Sequence, residues 1–240
     1  MKLRILIADD HELVRRGMCS LLREHPGWEI CAEASDGREA VEKAKQLRPD
    51  VIIVDVGMPN LNGLSAIRQL AEHDPKFKII VLTIDDSDHV IKEALNAGAR
   101  GFVLKTDAAR DLVSAVEALQ NGRMFFTGRV NDMVLTGFLE RGSGNGNSAS
   151  RLPSLTMRER EVIQLVAEGK SSKEVATLLN VSTKTAETHR SNIMRKLGLH
   201  SIRDLVLYAV KNNIIQVRMP GSEVAQGQAA GVADFSAHGS

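Results

Sequence analysis

The sequence predicts a doubly wound α/β domain with a five-stranded parallel sheet, followed by a smaller domain made only of helices. Two observations lead to this fold class. Apolar segments rich in Val, Ile and Leu alternate with amphipathic segments through the first half of the chain, whereas the pattern after residue 151 is helical. Continuous apolar strands indicate a parallel sheet whose two faces are both covered by helices.

Five strands and five helices alternate in the first half. Each strand is a short apolar run, and each helix places its apolar residues at intervals of three and four positions. The strands are expected at 3–9, 28–34, 51–55, 78–83 and 101–105, and the helices at 11–25, 37–47, 63–73, 87–98 and 109–122.

Four helices are expected in the second half. Thr156 followed by Glu159 has the spacing of a capping box, and Gly169 follows the first helix as a stop signal. Ser182 or Thr183 caps the third helix after a tight turn, which gives a helix-turn-helix pattern; ordinary pairs of helices imitate this pattern often. The helices are expected at 156–168, 172–179, 182–198 and 202–213.

The segments between and after these parts have a different composition. Residues 142–151 are mostly Gly, Ser and Asn, which is typical of a flexible linker. The predicted organisation is an α/β domain at 1–124, a connector helix and linker at 125–151, a helical domain at 152–217 and a disordered tail at 218–240.

Charge separates the two halves although the net charge is only +1. Residues 1–126 hold 17 Lys and Arg against 20 Asp and Glu, whereas residues 151–219 hold 12 against 6. A basic second half is a candidate for binding a polyanion. No apolar run approaches the roughly 20 residues of a membrane span, and no zinc-ligand spacing occurs. Cys19 and Cys31 are expected to be free thiols in a reducing cytoplasm, not a disulfide.

Chemistry is expected where the strands end, because ligands of an open parallel sheet bind beyond the carboxyl ends of its strands. Asp9 and Asp10 follow the first strand, Asp55 ends the third, Thr83 the fourth and Lys105 the fifth. Ionised carboxylates a few ångströms apart repel by about 1–4 kcal/mol per pair, so a cation must offset them. Lys105 and Mg²⁺ would do so, and together they suit a phosphoryl group that a carboxylate nucleophile accepts.

Each of these residues also has a structural interpretation. Asp10 alone is as readily a helix cap as a ligand. A lone lysine after a strand is usually exposed, and a lone threonine is usually structural. The joint occurrence of all these residue types at the correct strand ends favours a site.

Four motifs carry a specific resemblance: "ADD" at 8–10, "VDVGMPNLNG" at 54–63, "LT" at 82–83 and "FVLK" at 102–105. Through them, residues 1–121 resemble the receiver domain of two-component response regulators. The resemblance implies a flavodoxin-like fold and phosphate transfer to Asp55 from a sensor histidine kinase. It implies that Mg²⁺ is bound by Asp9, Asp10, Asp55 and the backbone carbonyl of Gly57. It further implies that Lys105 contacts the phosphate, with Thr83 and Phe102 as switch residues. Thr106 stands where the family often has proline.

The second half resembles the LuxR-type helix-turn-helix of the NarL/FixJ regulators, through "LTMREREV", "LVAEGKSSKEVA" and "ETHRSNIMRKLGL". Ala186 stands where the family commonly has valine. On its own, the polar face of the third helix is equally well a solvated surface. The resemblance implies a DNA-binding surface on Lys173, Lys184, Glu187, Thr188, Arg190, Ser191 and Arg195, and a dimerisation helix with Leu205, Tyr208 and Ala209 on its contact side.

Together the two halves predict a cytoplasmic, DNA-binding transcriptional regulator that is not an enzyme. Phosphorylation would repack strands four and five, form a homodimer, and either release a masked DNA-binding domain or bring two together. The expected partners are a sensor histidine kinase, double-stranded DNA and RNA polymerase, with no membrane. One alternative is a constitutive regulator whose receiver only dimerises. Another is a dehalogenase-like phosphatase, which needs a second Asp two residues after the nucleophile, where this chain has Gly57.

Overall fold

The computed structural model describes residues 2–128, 130–131 and 155–215. Most of the predicted connector and all of the linker at 142–151 lie outside the described residues, as does the predicted tail at 218–240. Within the described ranges, no helix has both the length and the apolar character that a membrane span requires.

The first domain has the predicted alternation of strands and helices, with bounds within about two residues of those expected. Its strands are β1 (Leu3–Ala8), β2 (Trp28–Ala34), β3 (Val51–Asp55), β4 (Lys78–Thr83), β5 (Gly101–Leu104) and β6 (Phe125–Phe126). Its helices are α1 (Glu12–Arg23), α2 (Gly37–Leu47), α3 (Gly63–His73), α4 (Asp88–Ala97) and α5 (Ala108–Gln120).

The sheet has the order β2-β1-β3-β4-β5-β6, and every neighbouring pair is parallel. This confirms the predicted doubly wound fold class, with a correction to the strand count. The sixth strand, Phe125–Phe126, pairs with Gly101 and Phe102 of β5, where the sequence predicted a connector segment. Two residues are too few to show the alternating pattern of a strand in the sequence. They form a strand because their backbone pairs with β5.

Two apolar clusters cover the two faces of the sheet, because both sides of each central strand are buried. Strand β3 is buried along its whole length, and its side chains alternate between the clusters: Ile52 and Val54 belong to one, Val51 and Ile53 to the other. Cys19 is buried and Cys31 half-buried, and both are free thiols as predicted.

The second domain contains the four predicted helices, α6 (Met157–Ala167), α7 (Ser172–Leu179), α8 (Thr183–Leu197) and α9 (Ile202–Lys211). Thr156 and Glu159 form the predicted capping box, and Ser182 caps α8. The helices enclose a separate apolar core that includes Val162, Ile193 and Leu205.

Helix α6 also packs against the first domain. Its residues 161–166 are all buried, including Glu161 and Gln164, because one side of the helix faces its own core and the other faces α3 and the loop after β3. Polar pairs between the two domains include Gln69 with Glu161 at 2.8 Å, Glu93 with Arg160 at 3.6 Å and Asp85 with Asn213 at 3.1 Å. The two domains therefore meet at the carboxyl edge of the sheet.

Candidate functional site

Three carboxylates lie together at the carboxyl edge of the sheet, as the sequence predicts. One ligand atom from each of Asp9, Asp10, Asp55 and His11 lies within 4.8 Å of the others. Asp9 is fully buried and Asp55 is 3% exposed. The sequence prediction did not include His11; its Nδ1 lies 2.9 Å from an Asp10 carboxylate oxygen, and its backbone N–H donates to Asp9 at 2.8 Å.

Lys105 supplies the positive charge that these carboxylates require. Its Nζ lies 2.7 Å from Asp9 Oδ2 and 3.0 Å from Asp55 Oδ2, and its side chain is only 12% exposed. The position follows from the topology, because β5 ends beside β4 and a single 3-10 turn, Lys105–Asp107, begins at the lysine. One ammonium group thus bridges two buried carboxylates.

The electrostatic state of Asp55 follows from its burial. Desolvation raises the pKa of this carboxyl above its usual value, and the Asp9 charge raises it further. Lys105 and a hydrogen bond from the Gly57 backbone act in the opposite direction without cancelling the burial effect. The pocket is therefore short of positive charge, and an additional cation would lower the free energy of the ionised form.

The donor set of this pocket fits a hard divalent cation. Carboxylate and carbonyl oxygens are the ligands that Mg²⁺ prefers, and Mg²⁺ usually takes one or two carboxylates from the protein together with phosphate oxygens. Asp10 offers the third carboxylate and its side chain is 6% exposed. Receiver domains typically bind Mg²⁺ in an acidic pocket of this kind.

The two predicted switch residues lie on the neighbouring strands. Thr83 is fully buried at the end of β4, and its hydroxyl accepts a hydrogen bond from the Asp85 backbone at 3.0 Å. Phe102 in β5 is 1% exposed, with its backbone carbonyl bonded to the Thr127 hydroxyl at 3.4 Å. The segment after β6 therefore contacts β5, the strand that carries Phe102 and directly precedes Lys105.

A close backbone approach fixes the floor of the pocket. A Cβ atom added at Gly63, the first residue of α3, would lie 2.0 Å from the carbonyl oxygen of Asp55. Asn62 caps this helix by accepting from the Ser65 backbone at 2.8 Å. The glycine lets α3 begin directly against the residue that the sequence predicts to accept phosphate.

The second domain contributes to the rim of this site, which the sequence analysis did not predict. Gln164 of α6 accepts from the Asn62 backbone at 2.7 Å and donates to the Met58 carbonyl at 3.1 Å. The Glu168 carboxylate accepts from the Asn60 backbone at 3.2 and 3.3 Å. We call residues 58–62 the β3–α3 loop; helix α6 is hydrogen-bonded to it at three points.

A cavity of about 330 Å³ lies between this loop and the second domain. It is partly open to solvent. Its walls are Asp10, Val56, Gly57, Met58, Pro59 and Asn62 of the first domain and Gln164, Ala167, Glu168 and residues 213–215 of the second.

The predicted DNA-binding residues lie largely on one exposed surface, which we call the α8 face. Lys184, Glu187, Thr188, Ser191 and Arg195 are exposed along α8, while Ala186 and Ile193 on its opposite side are buried. Lys173 is exposed on α7, and Arg190 is half-buried. The packing against the first domain involves α6 and Asn213 and Ile214, which follow α9, so it leaves the α8 face uncovered.

The predicted dimerisation residues need a correction. Leu205 and Ala209 are fully buried in the core of the helical domain, and Tyr208 packs against that core. They therefore hold α9 to its own domain. The large apolar side chains that α9 exposes are Ile202 and Leu207, at 53% and 58%. The resemblance named this helix as the dimerisation helix, which stays a prediction, but it does not say which apolar stripe of the helix faces the core.

Comparisons with known proteins agree with both halves. The response regulator receiver domain family matches residues 5–117, and the family of bacterial regulatory proteins, luxR type, matches residues 153–209. The transcriptional regulatory protein LiaR of Bacillus subtilis is 37% identical over 213 residues, covering 89% of this chain and 99% of LiaR. The oxygen regulatory protein NreC of Staphylococcus epidermidis is 36% identical, covering 89% of this chain and all of NreC.

Solved structures give the same result. RcsB from Salmonella enterica serovar Typhimurium, bound to the promoter rprA in the presence of phosphomimetic BeF3⁻, has 29% sequence identity and a TM-score of 0.54 over 87% of this chain and 98% of that one. A further structure of Salmonella typhimurium RcsB reaches a TM-score of 0.57 at 29% identity, over 88% and 98% of the two chains. The chain described here therefore belongs to the NarL/FixJ family of two-component response regulators, with a receiver domain followed by a LuxR-type DNA-binding domain.

Proposed function

We propose that this response regulator is switched by phosphorylation of Asp55, with a sensor histidine kinase as the donor. The observation that carries the proposal is the geometry of one lysine: Lys105 bridges Asp9 and Asp55 at 2.7 and 3.0 Å in a pocket closed to most solvent. A carboxylate held beside a fixed ammonium can attack phosphorus while the lysine stabilises the phosphoryl oxygens.

The proposed metal site is formed by Asp9, Asp10, Asp55 and the Gly57 carbonyl. Mg²⁺, when bound, supplies positive charge for the phosphoryl oxygens. Asp9 and Asp10 are held for this role by local contacts: the His11 backbone fixes one oxygen of Asp9, and the His11 ring lies against Asp10. The Gly57 backbone bonded to Asp55 orients the acceptor.

The proposed output is a phosphorylation-dependent homodimer that binds double-stranded DNA through the α8 face and acts on RNA polymerase. An aspartyl phosphate carries about −2 charge where the carboxylate carried −1, and Thr83 and Lys105 are placed to reorganise around it. The exposure of the α8 face favours one of the two mechanisms expected from the sequence, namely that phosphorylation brings two DNA-binding domains together. A regulator of transcription carries out this function in the cytoplasm, where bacterial DNA is.

The proposal is tested by weighing the intact protein after incubation with acetyl phosphate and Mg²⁺. We expect a mass gain of one phosphoryl group in the wild type and none in Asp55→Asn. Lack of a gain in a folded wild-type protein would contradict the phosphorylation switch.

Two other functions make different predictions, which DNA binding and phosphate release would measure. A constitutive regulator would bind DNA equally well with Asp55→Asn. A phosphatase would release inorganic phosphate catalytically, for which Gly57 stands where the general acid of such enzymes is needed.

A further inference from the structure

The contact between α6 and the β3–α3 loop lies directly over the proposed phosphoacceptor. The cavity between the domains reaches the acid cluster, because Asp10 and Gly57 form part of its wall. Its opposite wall is formed by Gln164, Glu168 and residues 213–215. The cavity therefore lies next to the proposed acceptor and leaves a solvent-connected space beside it.

The size of the cavity limits which donors can enter. A volume of about 330 Å³ corresponds to about ten water molecules in the liquid. A small phosphodonor fits this space, whereas an α-helix with its side chains is about 10–12 Å across and does not. A histidine on a protein helix can reach Asp55 only if that helix approaches the carboxyl edge of the sheet, where α6 packs against the β3–α3 loop.

The contacts that hold α6 in place are specific. Gln164 is 1% exposed and bonded to two backbone groups of the loop, and its amide also donates to Glu168 at 2.7 Å. Glu168 in turn accepts the Asn60 N–H. A buried donor or acceptor that loses its hydrogen-bond partner costs free energy. The contacts of Gln164 and Glu168 therefore stabilise one defined, closed arrangement of the two domains.

We propose that Gln164 and Glu168 make the closed chain selective for its phosphodonor. Small donors reach Asp55 through the interdomain cavity, whereas a phosphohistidine carried on a protein reacts only after α6 leaves the β3–α3 loop. This inference rests on the proposed function, since it presupposes that Asp55 is the acceptor. Kinase-dependent phosphorylation is then limited by domain opening, and phosphorylation by small metabolite-like donors is not.

The chemical step is the same for both kinds of donor. An Asp55 carboxylate oxygen forms a bond to phosphorus as the phosphorus–nitrogen bond breaks. The electron pair of that bond stays on the nitrogen, which leaves as ammonia from protonated phosphoramidate or as a neutral imidazole from protonated phosphohistidine. The two donors therefore differ mainly in the size of the group that carries the nitrogen.

The test compares these two donors on the full-length chain with Mg²⁺. The small donor is phosphoramidate, and the large donor is a phosphorylated four-helix histidine-phosphotransfer domain. The variant Gln164→Ala/Glu168→Ala removes the contacts, and Thr177→Ala/Arg203→Ala, at two exposed positions of the same domain, is the matched control. Intact mass gives the rate of phosphoryl gain, and hydrogen exchange at the Asn60 and Asn62 amides reports whether the contact has opened.

We expect the contact variant to accelerate transfer from the phosphotransfer domain about tenfold, which corresponds to about 1.4 kcal/mol, and to change the phosphoramidate rate less than about twofold. The control variant should change neither. Equal acceleration of both donors would overturn the proposal, because the cavity would then exclude small donors too. Faster amide exchange without acceleration of the large donor would overturn it as well. If neither donor phosphorylates the wild type, the proposed function itself fails, which is a different result from a change in donor preference.

Discussion

The pocket around Asp55 and the α8 face differ in almost every physical respect. The pocket contains buried carboxylates that are held by one lysine, so its geometry is fixed by the fold. The α8 face contains exposed charged and polar side chains that contact little of the chain. The difference teaches where each surface obtains its order: the pocket is organised before a ligand arrives, whereas the α8 face, if it binds DNA as proposed, would be organised by the duplex.

The largest expected effect on stability comes from adding one methyl group beneath the Asp55 pocket. Gly63→Ala places a Cβ 2.0 Å from the Asp55 carbonyl, and backbone on both sides must shift to admit it. We expect a loss of more than about 3 kcal/mol in the free energy of unfolding. The matched control is Gly17→Ala in α1, where nothing lies within 4 Å and a helical alanine adds up to about 1 kcal/mol. Chemical denaturation of both variants measures the two changes in the free energy of unfolding.

Removing the charge of Lys105 tests whether the pocket depends on it. Lys105→Met leaves Asp9 and Asp55 buried without their common cation, and we expect a loss of about 3 kcal/mol at neutral pH without Mg²⁺. Added Mg²⁺ should restore part of this loss. Lys184→Met on the exposed α8 face should change the stability by less than about 0.5 kcal/mol. Equal effects at the two lysines would remove the distinction between the two regions.

The pH dependence of stability also tests the electrostatics of the pocket. Removing the charge of Asp55 should stabilise the protein, whereas removing the charge of Lys105 should destabilise it. Burial raises the pKa of Asp55, so the folded state favours its protonated form, and the stability that this provides is lost as pH rises through the raised pKa. Without Mg²⁺, Asp55→Asn should therefore be more stable than the wild type at pH 7. We expect a difference on the order of 1 kcal/mol, because the substitution removes a buried negative charge that Asp9 repels. The gap should close as the pH falls below the usual carboxyl range. A gap that widens in acid would contradict this account of the pocket.

The salt dependence of DNA binding tests the α8 face. Lys184→Ala and Arg195→Ala should each weaken binding to duplex DNA by about 1 kcal/mol, with no change in stability. Wherever the lost contact is to phosphate, the slope of log K against log salt should fall by about one. Fluorescence anisotropy at several salt concentrations measures both quantities. Unchanged slopes in both variants would remove these two residues from the predicted phosphate contacts.

The sequence predicted the pocket well because its signals are local. Asp9, Asp55 and Lys105 each end an apolar strand, and parallel topology then brings them to one edge. The alternation of apolar runs and amphipathic helices likewise indicated the α/β fold, and Thr156 and Ser182 indicated where two helices of the second domain begin.

Features that depend on tertiary contacts were missed or misassigned. Phe125–Phe126 is a strand only because β5 offers a free edge. Gln164 looks in the sequence like an ordinary solvated helix residue, and only docking against the β3–α3 loop buries it. Leu205 and Ala209 were assigned to a dimer surface, although they face their own core.

The most direct test of the central claim follows DNA binding by anisotropy before and after phosphorylation with acetyl phosphate and Mg²⁺, in the same sample. The claim is that a phosphoryl group on buried Asp55 controls the exposed α8 face. We predict that affinity for duplex DNA rises at least about tenfold, equivalent to about 1.4 kcal/mol, and that Asp55→Asn shows no rise. Equal affinity before and after phosphorylation, in protein whose mass confirms the modification, would contradict the claim.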